Sequence, residues 1–153
     1  GKKAAGKEAG FRTLFEITYE PGTLTAVSYE KGQEIGRNEL KTAGADRTLV
    51  VESEEYAGLK GSDQELIYVQ VEMRDQNGVL AAADNQKITL AVDGEAEVLG
   101  FGSGNPKPNY NFNEGVTELF GGRAQIILKK PAEAVTLTVK AEDGTKGAIT
   151  INK

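Results

Sequence analysis

Apolar and polar side chains alternate with a period of two along most of this chain. The strongest alternation sets Ile67, Val69, Val71 and Met73 on one side of the chain, against Tyr68, Gln70, Glu72 and Arg74 on the other. This period predicts β-strand, because successive side chains of an extended chain point to opposite faces. The same pattern predicts further strands at residues 11–19, 23–29, 34–40, 48–53, 88–92, 96–98, 124–128, 135–139 and 149–151.

Short turn sequences separate these predicted strands. Pro21-Gly22 follows the first of them, and proline followed by glycine favours a tight reversal. Asn77-Gly78 supplies the positive φ values that a two-residue hairpin needs. No stretch sustains a helical period of 3.6, so the sequence predicts an all-β fold, an immunoglobulin-like antiparallel β-sandwich.

The predicted strands are unevenly distributed. About seven lie after residue 45, which is enough for one Greek-key sandwich. Residues 1–45 hold two or three strands, too few to bury both faces of a sheet. We therefore predict that residues 1–45 are the C-terminal part of a truncated immunoglobulin-like domain, and that residues 46–153 form a complete one.

The amino-acid composition excludes several kinds of chemistry. The 153 residues include no histidine, cysteine or tryptophan, and the formal net charge is −5. A Ser-His-Asp triad, a disulfide and a thiolate metal site are thus impossible within the chain. Without a concentrated basic patch, or an apolar run of about 20 residues, we expect no nucleic-acid or membrane partner. We expect no cofactor and no metal.

Paired carboxylates are the remaining catalytic candidates, since glycosidases hold two of them about 5–9 Å apart. Glu54 and Glu55 are adjacent, and in extended chain they point to opposite faces. Asp63 and Glu65 can share a face, but no neighbour in sequence would make one an acid and the other a base. Asp75 opens a sequence that fits a hairpin turn better than a calcium loop. We predict no catalytic residue.

One glycine-rich segment is unusual. Gly100 to Gly104 has the spacing G-x-G-x-G, but no helix follows that could present its N-terminus to a phosphate. We interpret the following residues as a long inter-strand loop packed by its own aromatic side chains. A ligand-contacting loop is the alternative, since asparagine amides and tyrosine edges suit sugar hydroxyls. Its candidate contacts are Ser103, Asn105, Asn109, Tyr110, Asn111 and Phe112.

These segments resemble the C-terminal accessory domains of glycoside hydrolase family 2, the β-galactosidase-like group. The first similarity covers residues 19–29, Gly32 and residues 40–44, with Gly1-Lys2-Lys3 similar to the end of a preceding "NGK-x-LGKK" strand. The second covers residues 66–72, Asp75, Gly78, Gly94, residues 100–106 and residues 120–124. Ser103 stands where that family more often has asparagine.

The resemblance implies a parent enzyme that hydrolyses β-galactosides or similar glycosides with two glutamates in an upstream barrel. None of those positions lies in this chain, so the implied role is a non-catalytic one, structural or in oligomerisation. The implied partners are the catalytic barrel and, through residues 1–45, a second copy of the chain. A carbohydrate-binding module and a module of a bacterial surface adhesin are the alternatives, the first with carbohydrate as its partner.

Overall fold

The computed structural model of the protein describes residues 1–54 and 66–153. The chain divides into two compact units, Gly1–Lys41 and Thr42–Lys153. The sequence placed this boundary after residue 45, whereas residues 42–45 belong to the second unit. Ala43 packs against the core of that unit, and the Gly44 N–H donates a hydrogen bond of 2.7 Å to Asp75 Oδ2.

The first unit contains one antiparallel hairpin of β1 (Thr23–Glu30) and β2 (Gln33–Lys41). Lys31 and Gly32 turn the chain with φ values of 49° and 85°. A 3₁₀ helix lies upstream, at Lys7–Ala9. The strand predicted at residues 11–19 was wrong, because no strand among the described residues pairs with this segment. Alternation of side chains forms a strand only where a neighbour satisfies the backbone N–H and C=O groups.

The second unit is a sandwich of two four-stranded antiparallel sheets, in the orders β3-β4-β8-β6 and β10-β9-β5-β7. These orders match the ABED and GFC sheets of an immunoglobulin fold, with β7 added beside β5. The all-β, antiparallel, immunoglobulin-like prediction is therefore confirmed. The strands are β3 (Arg47–Glu54), β4 (Leu66–Asp75), β5 (Lys87–Asp93), β6 (Val98–Gly102), β7 (Val116–Glu118), β8 (Arg123–Lys129), β9 (Val135–Ala141) and β10 (Lys146–Ile151).

The core lies between the two sheets and contains most of the side chains that alternation placed inward. Ile67 and Leu90 are partly buried against it. Val92, which the pattern also placed inward, is 38% exposed. It lies beyond the end of β7, which pairs only with Lys87 to Thr89, so no strand of the described residues lies on one flank of Val92. The confirmed core positions are Val69, Val71, Met73, Ile126, Leu128, Leu137 and Val139.

The two sheets come close together where β10 passes β3. A Cβ atom on Gly147 would collide with the Leu49 carbonyl oxygen and would lie 2.8 Å from the Val51 side chain. Glycine therefore permits the backbones to approach at this edge. Across the described residues, no helix is long and apolar enough to cross a membrane.

Candidate functional site

The outer face of the β3-β4-β8-β6 sheet carries a depression above strand β6. Gly100 and Gly102 occupy outward positions of β6, so at these two positions the strand raises no side chain above the sheet. Gln125 of β8 pairs with Gly102, and Ile127 pairs with Gly100. On the far side of β8, Gln70 pairs with Gln125. The floor of the depression is therefore formed by glycines at the edge of the sheet. Toward the middle of the sheet it is formed by the side chains of Gln70, Gln125 and Ile127.

Phe112 forms one wall of this depression. Its carbonyl oxygen accepts a hydrogen bond of 2.8 Å from the Phe101 N–H, which fixes the loop alongside β6. The Phe112 ring covers Gly102 so closely that a Cβ on residue 102 would collide with it. Phe112 nevertheless remains 50% exposed. A ring held against backbone on one side and open on the other is a ready contact surface.

We call this depression the Phe112 groove. Its volume is about 510 Å³, within the usual range for small-molecule sites. Besides three glycines, its apolar lining includes Leu99, Phe101, Phe112, Ala124 and Ile127, and its polar lining includes Glu54, Gln70, Ser103, Arg123 and Gln125. A second depression, of about 620 Å³, lies at residues 94–97 and 129–132. An ion pair of 2.8 Å between Glu97 and Lys129 lies in its lining, which has no aromatic side chain.

The predicted ligand-contacting loop does not form a single site. Only Ser103 and Phe112 of its six residues line the groove. The Tyr110 ring lies 5.8 Å from the Lys87 Nζ of β5, a strand of the other sheet. The asparagines have local partners: Asn105 Oδ1 accepts from the Lys107 N–H at 2.9 Å, and Asn111 Oδ1 from the Asn113 N–H at 3.3 Å. Asn109 is exposed outside the groove lining.

A buried carboxylate lies on the same sheet face. Glu72 is 5% exposed although it points outward, because Arg74, Arg123 and Gln70 cover it. Glu72 Oε2 accepts from Arg74 Nε at 2.6 Å, and Oε1 accepts from Arg123 Nε at 2.7 Å. Burial acts to raise the pKa of Glu72, but the hydrogen bonds from Arg123 and Arg74 outweigh it and hold the pKa below its ordinary value. Glu72 is therefore an ionised structural anchor for Arg123.

Asp75 forms the hairpin turn that the sequence predicted. Its Oδ2 binds the Gly44 N–H, and its Oδ1 binds the N–H groups of Asn77 and Val79 at 2.8 and 2.9 Å. The bonds from Gly44 and Val79 lower the pKa of Asp75. Both carboxylate oxygens therefore bind backbone N–H groups, two of them in the turn and one at Gly44. The described part of the chain contains no group of three or more acidic residues that could hold a metal.

Of the remaining carboxylate candidates, the structure describes only Glu54. Glu55, Asp63 and Glu65 lie outside the described residues. Glu54 ends β3 and is one of the residues that line the Phe112 groove. Its Oε2 atom is buried and has no hydrogen-bond partner among the described residues.

Sequence reasoning missed Gln70, Gln125 and Arg123 as groove residues. The alternation along β4 and β8 showed that these side chains point outward. Only the pairing of β6 with β8 shows that they lie near Gly100 and Gly102.

The fold defines the second unit as an immunoglobulin-like β-sandwich module. Its family follows from residues 48–150, which match the model described as glycoside hydrolase family 2 C-terminal domain 5. The chain belongs to this family. Residues 1–36 match a model described as a domain of unknown function, DUF4982.

Several known proteins are similar to this chain. A β-galactosidase of Bacteroides ovatus is 25% identical over 131 residues, which cover 84% of this chain and 15% of that protein. A solved family 2 glycosyl hydrolase of Bacteroides cellulosilyticus has a TM-score of 0.84 at 24% identity, covering 99% of this chain and 21% of that one. A β-glycosidase of Bacteroides vulgatus has a TM-score of 0.70 at 24% identity, covering 90% and 18%. At 24% identity, these two solved structures support the fold alone.

Proposed function

We propose that this chain is a non-catalytic accessory region of a family 2 glycoside hydrolase, with a structural role in the parent enzyme. The match of residues 48–150 to a C-terminal domain model of that family carries the proposal. The chain spans 15% of the length of the β-galactosidase that it matches. The family match also favours a hydrolase over a surface adhesin as the parent.

The chemistry of the buried carboxylates supports a non-catalytic role. Retaining glycosidases need one carboxyl group that stays protonated and a second that is ionised nearby. Glu72 and Asp75 both have lowered pKa values and are bound by several donors, so neither can serve as the acid. Glu52 lies 3.7 Å from Arg74, which also binds Glu72. One arginine therefore contacts both carboxylates.

The apolar surface of the first unit supports a packing role. Phe11 is 77% exposed and Tyr19 is 72% exposed. Burying one such side chain is worth roughly 1.5–3 kcal/mol, so a group of them favours contact with another protein surface. The proposed surfaces are the catalytic barrel of the parent enzyme and a second copy of this chain. The other exposed apolar side chains of this unit are Leu14, Phe15, Ile17, Leu24, Tyr29, Ile35 and Leu40.

The direct test compares this chain alone with the parent hydrolase, intact and lacking these residues. The chain alone should release no nitrophenol from nitrophenyl β-galactoside above the buffer blank. The shortened parent should have a lower melting temperature or an altered oligomeric state. Turnover by the chain alone that persists on repurification, and disappears in Glu54→Gln, would show the proposal to be wrong.

A further inference from the structure

We propose that the Phe112 groove binds one pyranose ring of a neutral carbohydrate. The site is independent of the packing role of the first unit, because every residue of its lining belongs to the second unit.

The aromatic wall is the first part of the argument. The Cδ1 and Cε1 atoms of Phe112 lie against Gly102 and the side chain is half-exposed, so the position of the ring is fixed before any ligand arrives. A pyranose presents a face of C–H groups that packs on an aromatic ring, while its hydroxyls project around the edge. Leu99 and Ile127 extend the apolar surface beside the ring. A rigid wall lowers the entropic cost of binding.

The polar lining is the second part. Among the described residues, no side-chain hydrogen bond involves the Gln125 amide group. Its NH₂ donors and its carbonyl acceptor are therefore available to sugar hydroxyls. Glu54 also lines the groove. Ser103 adds a hydroxyl at the rim.

Charge decides between neutral and anionic ligands. Among the described residues of the lining, Arg123 is the single cation, and Glu72 already binds its Nε at 2.7 Å. Glu54 adds a negative charge to the same lining. A uronate or a phosphate would therefore meet a compensated cation and a repelling carboxylate. An uncharged sugar meets neither penalty.

The test is an amide chemical-shift titration of the 153-residue chain with galactose, cellotriose and glucuronate. We expect saturable shifts at Gly100, Gly102, Phe112 and Gln125 with a neutral sugar, and a dissociation constant on the order of 1 mM. Glucuronate should bind more weakly. No saturable shift with either neutral sugar up to tens of millimolar would overturn the proposal, as would tighter binding of glucuronate.

Matched variants locate the site. Phe112→Ala should weaken binding at least about fivefold through the lost stacking surface, while Tyr110→Ala should change it less than about twofold. Gly102→Ala should also weaken binding, since its Cβ displaces the ring, whereas a Cβ on Gly36, in the first unit, would meet no atom within 4 Å. Gly36→Ala is therefore the control, and Gln125→Ala tests the polar lining if Phe112→Ala fails to fold.

Two outcomes would show that the Phe112 groove is not a sugar-binding site. Loss of binding in Tyr110→Ala, with Phe112→Ala unaffected, would contradict a site in the groove. Self-association of the chain that Phe112→Ala abolishes, without any sugar-dependent shift, would make the groove a protein interface and overturn the proposal.

Discussion

Asp75 accepts a hydrogen bond of 2.7 Å from the backbone N–H of Gly44, 31 residues earlier in the chain. The same carboxylate binds the Asn77 and Val79 N–H groups within its own hairpin. One side chain therefore closes a turn and fixes the segment that begins the second unit. This hydrogen bond joins Gly44 to the rest of the second unit, which spans Thr42–Lys153.

Asp75→Ala should remove the hydrogen bonds that hold Gly44 and the hairpin turn at Asn77 and Val79. We expect faster amide hydrogen exchange at Gly44, Asn77 and Val79, because each N–H loses its acceptor. Asp93→Ala, an exposed carboxylate on β5, is the matched control and should leave these amides protected. Unchanged protection in Asp75→Ala would mean that other contacts hold the segment.

Replacing Glu72 by glutamine should change the pH dependence of stability. Its folded pKa lies below the ordinary value of 4.5. The carboxylate therefore stabilises the fold fully above pH 4.5, and this contribution is lost as the pH falls through the folded pKa. Glu72→Gln should lower the free energy of unfolding at neutral pH by about 1–3 kcal/mol and reduce the loss on acidification.

Urea unfolding at about pH 7 and about pH 3 measures both effects. The control is Glu97→Gln, because the Glu97–Lys129 pair is exposed and such pairs contribute roughly 0–1 kcal/mol. Asp75 and Asp143 also have lowered pKa values, so some acid sensitivity should remain. An unchanged pH profile in Glu72→Gln would contradict the assigned network.

Val71→Ala tests the register of β4. Val71 is fully buried, so removing its methyl groups should cost on the order of 1–3 kcal/mol through lost burial and a cavity. Gln125→Ala, on the outer face of β8, should stay within about 0.5 kcal/mol of the parent chain. Gln70 is a poorer control than Gln125, because it donates a hydrogen bond of 3.0 Å to Glu72. Equal losses at Val71 and Gln125 would show that the inward face is misassigned.

The exposed apolar side chains of the first unit give a prediction about assembly. We expect the intact chain to self-associate in light scattering, while a shorter chain beginning at Thr42 stays monomeric. Phe11→Ser combined with Tyr19→Ser should reduce the association, because both side chains are largely exposed. Thr89→Ser, an exposed β5 position in the second unit, is the control. A monomeric intact chain would limit the proposed contact to the parent enzyme.

The sequence by itself determined the class of fold and much of the core. Alternation is a local property, so residues 67–73 showed which side chains face inward without knowledge of their neighbours. The Asn77-Gly78 turn was also readable, because a turn depends on the conformations of a few adjacent residues. The residues that carry the resemblance indicated the family by themselves, since they occur as spaced blocks along the chain.

Only the tertiary structure decided which polar and aromatic residues meet. The pairing of β6 with β8 sets Gly102 beside Gln125, and the loop then places Phe112 over the glycine while Tyr110 lies beside Lys87. Glu72 is buried on a face that alternation assigned to solvent, because arginines from β4 and β8 converge on it. Residues 11–19 alternate and still form no strand. For Gly102 beside Gln125 and for Arg123 beside Glu72, the contact joins residues far apart in sequence, and periodicity holds no information about such partners.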